Sequence, residues 1–304
     1  MYFFSYCKLD EILRKEGPTS CQNYYQKTIN ENRQLALKLI NDSRITFPCL
    51  YVLIPILETK NMHSNLRENL RESYNFTKSI LAHEPSNLGK SVQNKTMLKW
   101  IFESSFSFYH LGGEFNEVID VTVSILVNEY KDVTILNKVC ELIFLRNRDN
   151  ENIHDLVWAY FRLQTPMTLR HISKYLDSKN KIDKSLAKSL LGIQENNQRR
   201  YLSYLSENEP FMYYTDESFQ FASNPKVYKV DHKSKFLCKR GRNVPLSKDE
   251  EQIIDGFKRL DEEDQAVLAD YSFALSKMDN AKWKEFLNKE TDLQLKEAKE
   301  GRMV

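Results

Sequence analysis

Residues 115–145, FNEVIDVTVSILVNEYKDVTILNKVCELIFL, decide the fold class. Val118, Ile119, Ile125, Leu126, Ile135, Leu136, Val139, Leu142 and Ile143 fall on nearly every side of a helical wheel, and Asp132 interrupts the run. The stretch predicts two helices broken around Asp132, apolar nearly all round and therefore central to the packing.

The neighbouring segments have the same texture. Residues 23–41 place Ile29, Leu35, Leu37, Leu39 and Ile40 at helix-compatible positions. ITFPCLYVLIPILE (45–58) is apolar on all sides, and Pro48 and Pro55 should bracket a short core helix. From 64 to 85, Leu66, Leu70, Tyr74, Thr77 and Leu81 form an amphipathic stripe that Pro85 should stop. Another helix, 94–106, ends before Gly112-Gly113, and 153–193 holds three short helical stretches. Strands are expected only at FMYYTDESFQFASNPKVYKV (211–230), where Tyr, Phe and Val cluster around turn signals at Thr215-Asp216 and Asn224-Pro225. From Pro245 a helical pair resumes, with Ile253, Ile254, Phe257 and Leu260 on one helix and Val267, Leu268, Tyr271 and Leu275 on the next. The charged residues after it should fray.

Composition agrees. The 304 residues include only eight Gly and eight Pro, too few for the turns of an all-β fold or the corners of an α/β fold. The expected class is all-α, helical hairpins packed as a bundle or a degenerate HEAT-like solenoid, with one small β-hairpin in the C-terminal half. Expected domains are a helical domain (1–150), a helix-turn-helix-like unit with hairpin and basic connector (151–244), and a C-terminal helical pair and tail (245–304).

Net charge is +2, so no global field draws nucleic acid or membrane, and a basic surface must be local. The longest apolar run, 49–57, is too short to cross a bilayer, and the N-terminus lacks the layout of a signal peptide. Cys7, Cys21, Cys49, Cys140 and Cys238 are scattered, without a CxxC pair, which points to reduced thiols and a cytoplasmic location. The bias to Asn, Lys, Ile and Tyr is that of an AT-rich coding sequence, as in low-GC bacteria and their phages. No P-loop, GxGxxG, HExxH, GxSxG elbow or Cys/His cluster occurs, so no cofactor and no metal are expected. His63, His83, His110, His171 and His232 have no partner carboxylate at helical spacing.

Three stretches carry a functional reading. RDNENIH (148–154) resembles the Arg–polar–x(4–6)–His signature of the HEPN superfamily, and it fits from Arg148 or from Arg146 to the same His154. That resemblance implies a metal-independent ribonuclease, with His154 moving a proton, the arginine stabilising phosphate charge, and two motifs meeting across a homodimer. The structural reading is a helix–helix turn in which Asn150 or Asn152 caps the helix starting near Ile153.

TPMTLRHISKYLDSKNKIDKSLAKSLLG (165–192) resembles the helix-turn-helix core of winged-helix proteins. Thr168 would cap the first helix, Ile182, Leu186 and Leu190 would face inward on the second, and the 211–230 hairpin would be the wing. The resemblance implies that the second helix enters a major groove. Lys181, Lys184, Lys188, Arg199 and Arg200 are then candidate phosphate contacts, extended by the run Lys226, Lys229, Lys233, Lys235, Lys239, Arg240 and Arg242. The 246–277 pair resembles the helical tails of repressor-like regulators, which dimerise or dock on the preceding domain. Together these favour a non-enzymatic regulatory or scaffold protein that works through a protein partner, with nucleic-acid contact open to the basic C-terminal half. The HEPN-like ribonuclease is the alternative.

Overall fold

The computed structural model describes residues 7–84, 88–108, 110–194, 197–217, 225–239 and 245–301. The protein is mainly helical, with one two-stranded antiparallel hairpin in the C-terminal half. It divides into two compact units, 1–163 and 164–304.

The first unit contains α1 (Lys8–Glu16), α2 (Pro18–Glu31), α3 (Arg33–Ile40), α4 (Phe47–Thr59), α5 (Glu68–Leu81), α6 (Val92–Ser105), α7 (Gly113–Asn128), α8 (Leu136–Arg148) and α9 (His154–Phe161). α7 packs against α5, α6 and α9, and α8 against α9. Phe115, Val118, Ile119, Val123 and Leu126 of α7 are buried, as are Leu136, Val139, Leu142, Ile143 and Phe144 of α8. Each large side chain so placed stabilises the unit by about 1.5–3 kcal/mol relative to exposure. The break falls at Asp132, which is buried and turns the chain itself: its Oδ1 accepts from the Thr134 backbone N–H at 3.0 Å and from the Thr134 hydroxyl at 2.6 Å.

Two expectations for this unit need correction. Residues 23–41 are not one helix, because Asn32 ends α2 in extended backbone and its side chain caps α3 by accepting from the Leu35 N–H. Pro55 does not bound α4 but lies inside it, on its exposed side, where water can replace the hydrogen bond that proline cannot make. Pro48 does mark the helix start, where a missing N–H costs nothing. α5 already ends at Leu81, and Pro85 lies outside the described residues.

The second unit contains α10 (Met167–Ser173), α11 (Lys181–Leu191), α12 (Gln198–Asn208), β1 (Met212–Tyr214), β2 (Tyr228–Val230), α13 (His232–Phe236), α14 (Lys248–Phe257), α15 (Glu262–Met278), α16 (Asn280–Leu287) and α17 (Thr291–Gly301). Met212 pairs with Val230, Tyr213 with Lys229 and Tyr214 with Tyr228. The expected C-terminal pair is α14 and α15. α14 opens on a full capping box between Ser247 and Glu250, and α15 on the Asp261 side chain. α15 packs against α13, α16 and α17, so the pair docks within its own unit. The core there is Phe236, Ile254, Phe257, Leu268 and Phe286, with Phe236 stacked on Phe257 at 4.7 Å.

Residues 279–301 do not fray, contrary to expectation. Phe286 and Ala298 are fully buried, Trp283 donates its indole N–H to Ser272 Oγ at 2.8 Å, and Gln294 Nε2 donates to the carbonyls of Phe286 and Leu287. None of the described helices is long and apolar enough to cross a membrane.

Candidate functional site

The segment from α10 to β2 is three helices followed by a hairpin. α10, extended by a 3-10 turn over Lys174–Asp177, packs against both α11 and α12. Asn180 caps α11 by accepting from the Ile182 N–H. The inward face of α11 is Asp183, Ala187 and Leu190, not Ile182, Leu186 and Leu190. Ile182 is 47% exposed, whereas the Asp183 carboxylate turns inward and accepts from the Ser178 hydroxyl at 2.8 Å, closing the turn into the helix. Thr168 is not a cap either. It is buried in α10 and donates to the Thr165 carbonyl.

α11 stops at Gly192 in the left-handed region (φ 65°), which glycine adopts without steric cost. α12 then starts on Asn197, whose side chain accepts from the Arg200 N–H at 2.9 Å, and Asp177 Oδ1 accepts from the Gln198 N–H. Tyr201, Leu205 and Asn208, spaced i, i+4, i+7, are the buried stripe of α12. Arg199, Arg200, Ser203, Tyr204 (48% exposed) and Glu207 form its outer face. The helix directly preceding the hairpin is therefore α12, which the sequence reading did not place. Its signal was present as an Asn cap followed by the Tyr201–Leu205–Asn208 spacing, but one of those three positions is polar.

The basic residues separate into groups. Lys181 and Lys226 are exposed, and Lys184 and Lys188 are half-buried. Lys229 lies 3.5 Å from Glu217 across the hairpin. Lys233 is half-buried in the last turn of α13. Lys239 donates to Glu250 Oε2 at 2.6 Å and to the Pro245 carbonyl, so it belongs to the start of α14. Lys235 leaves the set of phosphate candidates altogether. It is buried, and its Nζ donates to Asn208 Oδ1 and Asp270 Oδ1, both at 2.6 Å, with the Phe273 ring 5.6 Å away. Asp231 caps α13 by accepting from the Ser234 N–H. Arg240 and Arg242 lie outside the described residues.

The RDNENIH turn joins α8 to α9. Arg146 is fully buried, and its guanidinium donates to Asp120 Oδ1 at 2.6 Å and to Asn116 Oδ1 at 3.1 Å. Burial pushes the Asp120 carboxyl up to about 7 against the pull of Arg146, and the charges of Asp155 and Glu117 push in the same direction as burial. Arg148 is half-buried at the end of α8. His154 is exposed as the first residue of α9, with Nδ1 3.2 Å from Asp155 Oδ1. Asn152 Oδ1 accepts from the His154 N–H at 3.0 Å, and Asn150 takes up the left-handed conformation (φ 57°) that asparagine tolerates. Of the three residues in the ribonuclease signature, Arg146 is thus committed to the interior.

Among the described residues no group of three or more His, Cys, Asp or Glu is placed to hold a metal ion. No family model matches the chain, and no curated protein or solved structure is significantly similar to it.

Proposed function

We propose that this chain is a non-enzymatic regulatory protein whose second unit contacts duplex DNA through a winged-helix-like element, with α12 offered to the major groove and the β1–β2 hairpin as the wing. The observation that carries this reading is the outer face of α12. Three helices and a hairpin follow in the winged-helix order, and the helix before the hairpin holds exposed Arg199, Arg200, Ser203 and Tyr204 opposite its buried Tyr201, Leu205 and Asn208. Arginine at the start of such a helix suits both phosphate and the guanine edge. Lys226 and Lys229 on the hairpin supply further phosphate contacts.

The alternative of a ribonuclease centred on His154 loses one of its two candidate arginines to the Asp120 pair, and the Asn152 bond explains the turn without catalysis.

The test is fluorescence anisotropy with a random-sequence duplex and the matching single strand, across about 50 to about 300 mM salt. Four cationic contacts give a log–log slope of about −3.6 on duplex, at about −0.9 per phosphate neutralised. Arg199→Ala with Arg200→Ala should weaken duplex binding and make the slope shallower by about 2, while Lys235→Met leaves the slope unchanged. Absence of duplex binding at the lowest salt, or a slope indifferent to the double substitution, refutes the reading.

A further inference from the structure

In the first unit α5 and α6 enclose a cleft of about 390 Å³. Helical spacing builds its walls. Glu68 and Glu72 stand one turn apart on α5, and Val92, Thr96 and Trp100 stand one turn apart on α6, with Met97 beside them. Trp100 is half-buried and held edge-on against Phe47 at 6.0 Å. Val92 lines the cleft and is 83% exposed, so its side chain is open to a ligand.

Three lysines of these two helices are engaged elsewhere. Lys78 of α5 pairs with Glu58 at 2.8 Å, and Lys95 and Lys99 of α6 lie at 3.1 and 3.6 Å from Asp132. Glu68 and Glu72 make no ion pair with any described residue. Glu68 in the first turn complements the helix dipole, but Glu72 lies a turn further along, where that effect has faded.

We propose that this cleft receives a cationic side chain, lysine or arginine, projected by a basic segment of a partner protein. The alkyl stem would lie along Val92 and Met97, as long cationic side chains lie along apolar surface. The charged head would meet the face of Trp100 and the two carboxylates, joining a cation–π contact to ion pairing. The inference does not depend on the nucleic-acid reading, because every residue in it belongs to the first unit.

The experiment follows the indole N–H resonances of the full chain labelled with ¹⁵N-tryptophan, Trp100 being assigned by its loss in Trp100→Phe. The probes are a short lysine-rich peptide, its arginine counterpart and the fully Nε-acetylated lysine peptide. A saturable shift of Trp100 is expected with the two cationic peptides and none with the acetylated one, while Trp158 and Trp283 stay in place. Glu68→Gln with Glu72→Gln, neither of them buried, should weaken binding by about tenfold. The proposal fails if Trp100 does not move, if the acetylated peptide moves it equally, or if the double variant binds as wild type does. No nucleic acid is present, so failure here leaves the α12 reading untouched.

Discussion

Arg146 and Arg199 look alike in the sequence, each in a polar stretch near a helix boundary, yet the fold treats them oppositely. Arg146 lies at 0% exposure at the α8–α9 turn, tied to α7 through Asp120 and Asn116. Arg199 stands in solvent on the first turn of α12. A buried guanidinium has given up its hydration and needs every local partner, so it holds helices together. An exposed one keeps its hydration and adds little to stability, which leaves it available to a polyanion. The same division separates Lys235, locked between Asn208 and Asp270, from exposed Lys226. Charge read from sequence marks candidates, and burial decides which of them can be a surface.

The contrast breaks first at Arg146. At pH 8 Arg146→Ala leaves Asp120 buried without its counter-charge, so the carboxyl must take up a proton to stay inside, and about 3–5 kcal/mol of first-unit stability should be lost. Arg199→Ala in the same urea titration should stay within about 0.5 kcal/mol. If the two variants unfold alike, burial is not what distinguishes them.

The pH dependence of the first unit gives an effect of comparable size, spread over several pH units. Asp120 titrates at about 7 in the folded chain and near 3.8 when unfolded. Between those values the folded state holds a proton that the unfolded state has released. Stability from this group is therefore fully present below about 3.8 and is lost as pH rises towards and through 7, with no further change above. Urea titrations of wild type and Asp120→Asn at several pH values should show this decline in wild type and not in the variant. A wild-type curve that rises from pH 4 to 7, with the rise abolished in the variant, would mean that Arg146 outweighs burial at this site.

How far the sequence disclosed this molecule follows from what fills each interior. α7 and α8 were legible because their inward faces are apolar at helical spacing, and the hairpin because its strands, with Tyr213, Tyr214 and Tyr228, flank turn signals. α12 was not placed, and α11 was read one residue out of phase, because their inward faces include Asn208 and Asp183. α17 was taken for frayed tail because Gln294 and a single alanine, Ala298, are what it buries. A buried polar group is stable only with partners, and these came from distant sequence: Asp120 lies 26 residues from Arg146, and Asn208 and Asp270 lie 27 and 35 residues from Lys235. Hydrophobic periodicity carries no trace of such pairs. For the candidate surfaces, residue type was readable for Arg199 and Arg200, but exclusion of Lys235 and Lys239 required the fold. The α5–α6 cleft joins Glu72 to Trp100 across two helices and left no motif.

The smallest effect separates two neighbours in the opening of α9. Asn152 accepts the His154 N–H, whereas the His154 ring is exposed and lies beside Asp155. If the turn is structural, Asn152→Ala should cost about 1 kcal/mol, the usual net worth of one hydrogen bond. His154→Ala should then cost no more than about 0.5 kcal/mol. Both are read from the first unit's urea midpoint, with RNA cleavage followed in the same preparations. The expected outcome is a measurable loss for Asn152→Ala alone and no cleavage by any form. RNA cleavage by wild type that disappears in His154→Ala would reverse the order of importance. The exposed histidine would then be a catalytic residue, Arg148 its partner of choice, and the turn an active site that borrows its rigidity from the buried arginine two residues before it.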